Sequence, residues 1–275
     1  MPRKPTLSPT KISNFLACPH KYYWTYVDPK GRWYLRAKSY YSFGSTLHKV
    51  LQRFHDSSDN GVESTHQALA AYEDGWIDAG FSSHEEMQDA FGEGKQILER
   101  YVEESLQDQQ ANKVFMVEKQ LRKAFGEDFD LVGRLDRVDE HPDGTLEIID
   151  YKSGRQSVSE EDVASDLAMS IYQLLLKDKF PDRPVKATIL ALRSGIRASH
   201  SLSEDELAEL HEDLLQLGRM ILGSNWEERR PSPKALCQYC DFGPLCGKDS
   251  EFGAGLTALM QSDLSVLQES QGRLL

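Results

Sequence analysis

Residues 146–154 read LEIIDYKSG. Leu146, Ile148 and Ile149 make a strand aliphatic enough to run into a core, and the run ends on Asp150, with Lys152 two residues further on. Side chains alternate along a strand, so this carboxylate and ammonium leave it on the same side. The segment before it, FDLVGRLDRVDEH (129–141), reads as a second strand, and HPDG (141–144) between them is a turn sequence, so the two pair as a hairpin. Upstream, KVFMVEKQLRKAF (113–125) reads as another strand. Downstream, a helix fits 161–179, with Val163, Leu167, Ile171, Leu174 and Leu175 on one side, and VKATILALR (185–193) is a fourth strand. With a helix over 84–109, the order is α-β-β-β-α-β.

The rest of the chain reads as helices and connectors. Ser8 is placed as an N-cap with Pro9 at the first helical position, and Ile12, Phe15, Leu16, Tyr22 and Tyr23 follow as an apolar face. Phe43, Leu47, Val50, Leu51 and Phe54 predict a helix over 43–56, followed by one near 62–79. This leading block, 1–83, is expected to be an insertion or a lid on the core at 84–194. The remainder, 195–275, holds a helix over 203–222, a cysteine cluster, and a short amphipathic helix in LTALMQSDLSVLQ (256–268). The whole is expected to be one α/β domain.

The chain has 275 residues, which is room for one large domain. Its net charge of −12 argues against a broad basic surface for nucleic acid, while leaving room for a local basic cleft. No apolar run approaches the roughly 20 residues a bilayer requires. MPRKPTLSPT lacks the apolar core of a secretory signal, so the expected compartment is the cytoplasm, with no membrane contact.

Asp136 lies within GRLDRVD and Asp150 ends the next strand, about 4.8 Å away across a hairpin. Two carboxylates that close repel unless a cation sits between them, and a hard divalent ion such as Mg²⁺ takes oxygen ligands. Lys152 is then placed to orient a water or to hold developing charge. Arg155, beyond the Gly154 hinge, suits a phosphate. His48 lies one position off the apolar row of its helix, and Gly44 one turn earlier marks either a helix start or a close approach to another backbone.

Gly44-x-x-x-His48, GRLDRVD and IDYKSG, in this order, resemble the RecB-type nucleases of the PD-(D/E)XK superfamily, and the α-β-β-β-α-β order resembles their restriction-endonuclease-like core. The resemblance covers nearly the whole chain. It implies a DNA nuclease, exonuclease action on single-stranded or end-bearing DNA, and Mg²⁺ or Mn²⁺ as cofactor. His48, Asp136, Asp150 and the Tyr151 carbonyl would be metal ligands and Lys152 the catalytic lysine, with Glu118 near the same sheet end. Such nucleases carry Gln-x-x-x-Tyr on the helix after the third strand. Here the motif falls on AMSIY (168–172), so Ala168 stands in place of Gln, Tyr172 is retained as a catalytic candidate, and Gln173, about 100° around the helix, is the candidate substitute for the missing Gln. That departure keeps an alternative open: a weakly active or inactive DNA-binding scaffold on the same fold. The chain carries no helicase motif, so unwinding would fall to a helicase or defence-system partner.

Cys237, Cys240 and Cys246 lie within CQYCDFGPLC, and Cys18 is the one other cysteine. Four thiolates suit Zn²⁺ or an iron–sulfur cluster, and spacing alone leaves that choice open. The ACP near the N-terminus and the distal Cys-x-x-Cys-x5-Cys resemble the iron–sulfur staple of AddB-type and CRISPR-adaptation nucleases. The resemblance implies a 4Fe–4S cluster clipping the first helix to the C-terminal segment, with Tyr22, Trp24, Tyr239 and Phe242 as candidate shields. In the connector DPKGRWYLRAKSYY (28–41), cations interleave with aromatic rings, a mix that suits a single strand, with bases stacked on the rings.

Overall fold

A computed structural model describes residues 4–56, 61–108 and 112–257. They form two compact units, one of residues up to Pro9 with Ala37–Arg219, the other of Thr10–Arg36 with the residues from Met220 onward. In chain order the strands are β1 (Thr6–Leu7), β2 (Lys113–Phe125), β3 (Phe129–Glu140), β4 (Leu146–Lys152), β5 (Val185–Ala191) and β6 (Arg197–His200). The helices are α1 (Pro9–Ala17), α2 (Pro19–Tyr22), α3 (Ser39–His55), α4 (Thr65–Asp74), α5 (His84–Gln107), α6 (Glu160–Ser165), α7 (Leu167–Lys179), α8 (Glu204–Leu222) and α9 (Gly243–Cys246).

The first unit is a six-stranded mixed sheet with helices on it. β2 and β3 pair antiparallel, and β3 turns through His141–Gly144 into antiparallel β4, with Gly144 at φ +89° closing the turn. β4 and β5 are parallel, joined by a crossover that carries α6 and α7, as a parallel pair requires. β6 pairs antiparallel with β5, and β1 runs parallel to the start of β3. The α/β order expected from sequence is present. β1 and β6 are additions too short to show a period.

α3, α4 and α5 are a layer of this fold rather than a lid. Phe43, Leu47, Val50 and Leu51 of α3 and Ile97, Leu98 and Val102 of α5 are buried in one cluster with Ile149, Tyr151, Leu190 and Leu192 of the sheet region. Burying each such side chain stabilises the fold by about 1.5–3 kcal/mol, which ties the helical block to β4 and β5. Ser64 and Ser83 cap α4 and α5, accepting from the Gln67 and Glu86 amides.

The helix expected over 161–179 is broken at Asp166, whose backbone is extended at φ −77° and ψ 113°. Its Oδ1 accepts from the Ala168 and Met169 amides at 2.7 and 3.1 Å, so α7 starts afresh there. A short acceptor side chain competes with the helix for its own amide hydrogens and wins at an N-cap. α7 then packs on β3 at Gly133, where a Cβ would come within 2.9 Å of the Tyr172 ring. Gly133 in GRLDRVD is thus a packing requirement.

In the second unit, Lys234 Nζ donates to the Ala17 carbonyl at 2.7 Å, at the C-terminal end of α1. Trp226 stacks on Tyr22 and Tyr23 at 5.9 and 5.2 Å. Most of the amphipathic helix expected at 256–268 lies outside the described residues. Among the described residues, no helix is long and apolar enough to cross a membrane.

Candidate metal centre

Strand register assembles the site. The β2–β3 ladder steps from Val117–Arg137 to Lys119–Leu135, which sets Glu118 opposite Asp136. One step beyond the last β3–β4 pair, Arg137–Ile149, Asp136 stands opposite Asp150. Three carboxylates therefore occupy one row across three neighbouring strands. Glu118 has φ +48°, the one left-handed non-glycine backbone among the described residues. Such a conformation costs of order 1–3 kcal/mol and persists where the surroundings enforce it.

Ligating atoms of His48, Glu118 and Asp136 lie within 4.8 Å of one another. His48 Nδ1 is 3.4 Å from Asp136 Oδ2, and its Nε2 is 2.9 Å from the Tyr151 carbonyl oxygen. Asp136 Oδ2 also accepts from the Tyr151 amide at 3.0 Å. Lys152 Nζ is 2.8 Å from Asp150 Oδ2 and 3.9 Å from Asp166 Oδ2. His48, Glu118, Asp136, Tyr151, Lys152 and Asp166 line one cavity of about 920 Å³, together with Tyr41, whereas Asp150 is buried and is not among its lining residues.

Charge in the row is unbalanced. Burial, together with the Asp136 carboxylate, raises Asp150 to about 6 against the pull of Lys152. Burial and Asp136 also raise Glu118, against Arg134. Burial opposes charging of His48 and Lys152, yet Asp136 raises the first and Asp150 the second. Burial and four surrounding carboxylates push the Tyr172 phenol upward, keeping it protonated. An oxygen-rich row with one imidazole fits Mg²⁺ or Mn²⁺, whose charge would relieve the repulsion.

The raised Asp150 predicts a pH-dependent cost in metal-free protein. A carboxylate held above its ordinary value contributes stability below that value, and the contribution is lost as pH rises through about 6. Asp150→Asn, which mimics the neutral form, should match wild type near pH 4 and exceed it above pH 6 by about 3 kcal/mol. Urea titrations in EDTA at both pH values check this, and a constant difference would count against it.

The structure brings His48, Glu118, Asp136, Asp150, Tyr151 and Lys152 together. Tyr172 lies close enough to feel four carboxylates. Gln173 is not part of this group: it is buried, and its Oε1 accepts from the Leu202 amide at 3.0 Å. Arg155 is turned to Glu93, 3.1 Å away. Gly44 lies inside α3, and a Cβ there would sit 2.9 Å from Ser153 Oγ, so the close approach is to a side chain in the loop after β4. Sequence reasoning missed Asp166. Its signal was an Asp directly before LAMS, an N-cap pattern inside a supposedly continuous helix.

The sequence match decides the family. The model of the PD-(D/E)XK nuclease superfamily matches residues 6–247. The chain belongs to that superfamily. Membership implies a metal-dependent nuclease with DNA as its substrate. No curated protein matches the chain. Among solved structures, the one described as the crystal structure of SSO0001 is 12% identical, with 90% of this chain and 87% of that chain covered and a TM-score of 0.38.

Within the second unit of this superfamily member, Cys18, Cys237, Cys240 and Cys246 line one small cavity, and none forms a disulfide. The Lys234 amide donates to Cys237 Sγ at 3.3 Å. Burial and the other three sulfurs push Cys246 to about 11, and burial also raises Cys240. Phe242 lines this cavity, whereas Tyr239 is 79% exposed and shields nothing.

Proposed function

We propose that this chain is an Mg²⁺- or Mn²⁺-dependent deoxyribonuclease of the RecB type, acting as an exonuclease on single-stranded or end-bearing DNA in repair, recombination or defence. The row Glu118–Asp136–Asp150, with His48 at one side and Lys152 at its end, carries this reading. His48, Asp136, Asp150 and the Tyr151 carbonyl would hold the ion, with Glu118 close enough to join them. The chemistry supplied by such an ion is a water of lowered pKa and a polarised phosphoryl oxygen.

The chain's own groups do the rest. Asp136 fixes His48 and the Tyr151 amide together, so the donors are set before substrate arrives. Asp150 and Asp166 keep the Lys152 ammonium charged and aimed into the cavity, where it steadies the attacking water and the negative charge that grows on the phosphoryl oxygens. Water adds to phosphorus, the opposite P–O bond breaks, and the leaving oxygen takes up a proton. The family match spans both units, which supports reading the chain as one nuclease domain.

The four-cysteine site is read as a 4Fe–4S staple. That four cysteines line one small cavity, with an amide donating to one of their sulfurs, is the observation behind this reading. Cys240→Ser should remove visible absorbance from anaerobically purified protein and lower its melting temperature. Colourless wild-type protein holding zinc would replace the cluster with a zinc site.

The test of activity is cleavage of labelled single-stranded and duplex DNA with Mg²⁺, Mn²⁺ or EDTA. Lys152→Ala should lower metal-dependent cleavage by about 10²–10³-fold. No cleavage by folded, metal-supplied wild type would favour the binding-scaffold reading, which the alanine at 168 and the remote Gln173 support.

A further inference from the structure

We propose that Tyr40 and Tyr41, in the first turn of α3, form a stacking platform for unpaired bases, making the site selective for a single DNA strand. This rests on the nuclease reading above. Both rings are largely exposed, at 61% and 68%, and their centroids lie 4.4 Å apart at 45°. Both residues line the same cavity as the carboxylate row.

Helical spacing links the platform to the chemistry. Tyr41, Ser45, His48 and Gln52 recur every three or four residues and all line the cavity, so one face of α3 runs from the rings to the metal centre. Tyr41 precedes His48 by seven residues, about 10 Å along the helix. That is about three nucleotide steps at about 3.4 Å each. Exposed Lys49 lines this stretch, and Arg134 stands on the far side beside Glu118, so cations for a phosphate backbone accompany the rings.

A strand held this way would rest its bases on the rings while a phosphate three steps on reaches the carboxylates. In a duplex each base face is already covered by its neighbours, so rings at the cavity mouth find a free face only on unpaired nucleotides. A stacked base contributes about 1–3 kcal/mol irrespective of its identity, which predicts strand selectivity without sequence selectivity.

The test is a two-by-two comparison. Wild type and the Tyr40→Ala/Tyr41→Ala variant are each given a single-stranded oligonucleotide and the same strand carrying abasic sites, with KM, kcat and fluorescence anisotropy recorded. Removing the rings should weaken use of the base-bearing strand by about tenfold or more. On the abasic strand the variant should lose far less, and Tyr→Phe at both positions should restore selectivity. Equal losses on both strands, or none on either, overturn the platform. Hydrolysis of a small phosphodiester by wild type reports separately on the nuclease reading. If that fails, anisotropy alone decides: equal affinity of wild type and variant for the base-bearing strand rejects the platform.

Discussion

Asp136→Asn is expected to abolish metal-dependent DNA cleavage, with a loss of at least about 10³-fold, while leaving the fold intact. Asp136 is the centre of the carboxylate row. Its Oδ2 lies 3.4 Å from His48 Nδ1 and 3.0 Å from the Tyr151 amide, and its neighbours in register are Glu118 on one strand and Asp150 on the other. Asparagine keeps an oxygen for the Tyr151 amide, so the hairpin end should hold. The negative charge that raises His48 and attracts a cation is gone. A thermal melt gives a second readout. A saturating divalent ion stabilises a folded protein by about 2.7 kcal/mol at a hundred times its dissociation constant, and the variant should lose most of that increment. Cleavage within tenfold of wild type would sink the metal-centre assignment.

Arg137→Leu should destabilise the protein by about 3–5 kcal/mol. Arg137 is the residue after Asp136, so it leaves β3 on the opposite face, among the α3–α5 layer. Its guanidinium pairs with Asp139 through both carboxylate oxygens, and it also meets the Tyr101 hydroxyl at 3.0 Å and His55 Nε2 at 2.8 Å. Asp139 is 1% exposed. Burial and the adjacent Arg137 push His55 far down, so it is neutral and can accept from the guanidinium. Removing the arginine leaves a buried carboxylate without a partner. The Tyr101 hydroxyl, 3.1 Å from that of Tyr151, would also lose a donor. Arg137→Leu with Asp139→Leu should recover much of the loss, because an apolar pair needs no compensation in a buried site. Urea unfolding of both variants checks this, and a single-variant loss near ~1 kcal/mol would mean that water reaches the pair.

The sequence by itself determined the strands around residues 113–152, the hairpin through HPDG, and the identity of the charged residues the register later aligns. It could do so because those signals are local: period-two alternation, turn residues, and a carboxylate where an aliphatic run ends. The family followed from the order of such local signals.

Tertiary structure decided the rest. Glu118 carried little weight in a strand read alone, and it joined the site because register set it opposite Asp136. Gln173 stood next to Tyr172 in sequence, yet α7 turns it toward Leu202 and into the core. Asp166 looked like one residue of a long helix until its carboxylate capped α7 and came within 3.9 Å of Lys152. The α3–α4 part of the leading helical block became a core layer because its apolar stripe needed the faces of β4 and β5. Period and propensity specify which face of an element is apolar. Only packing in three dimensions specifies what that face meets and which polar groups are carried together at its edge.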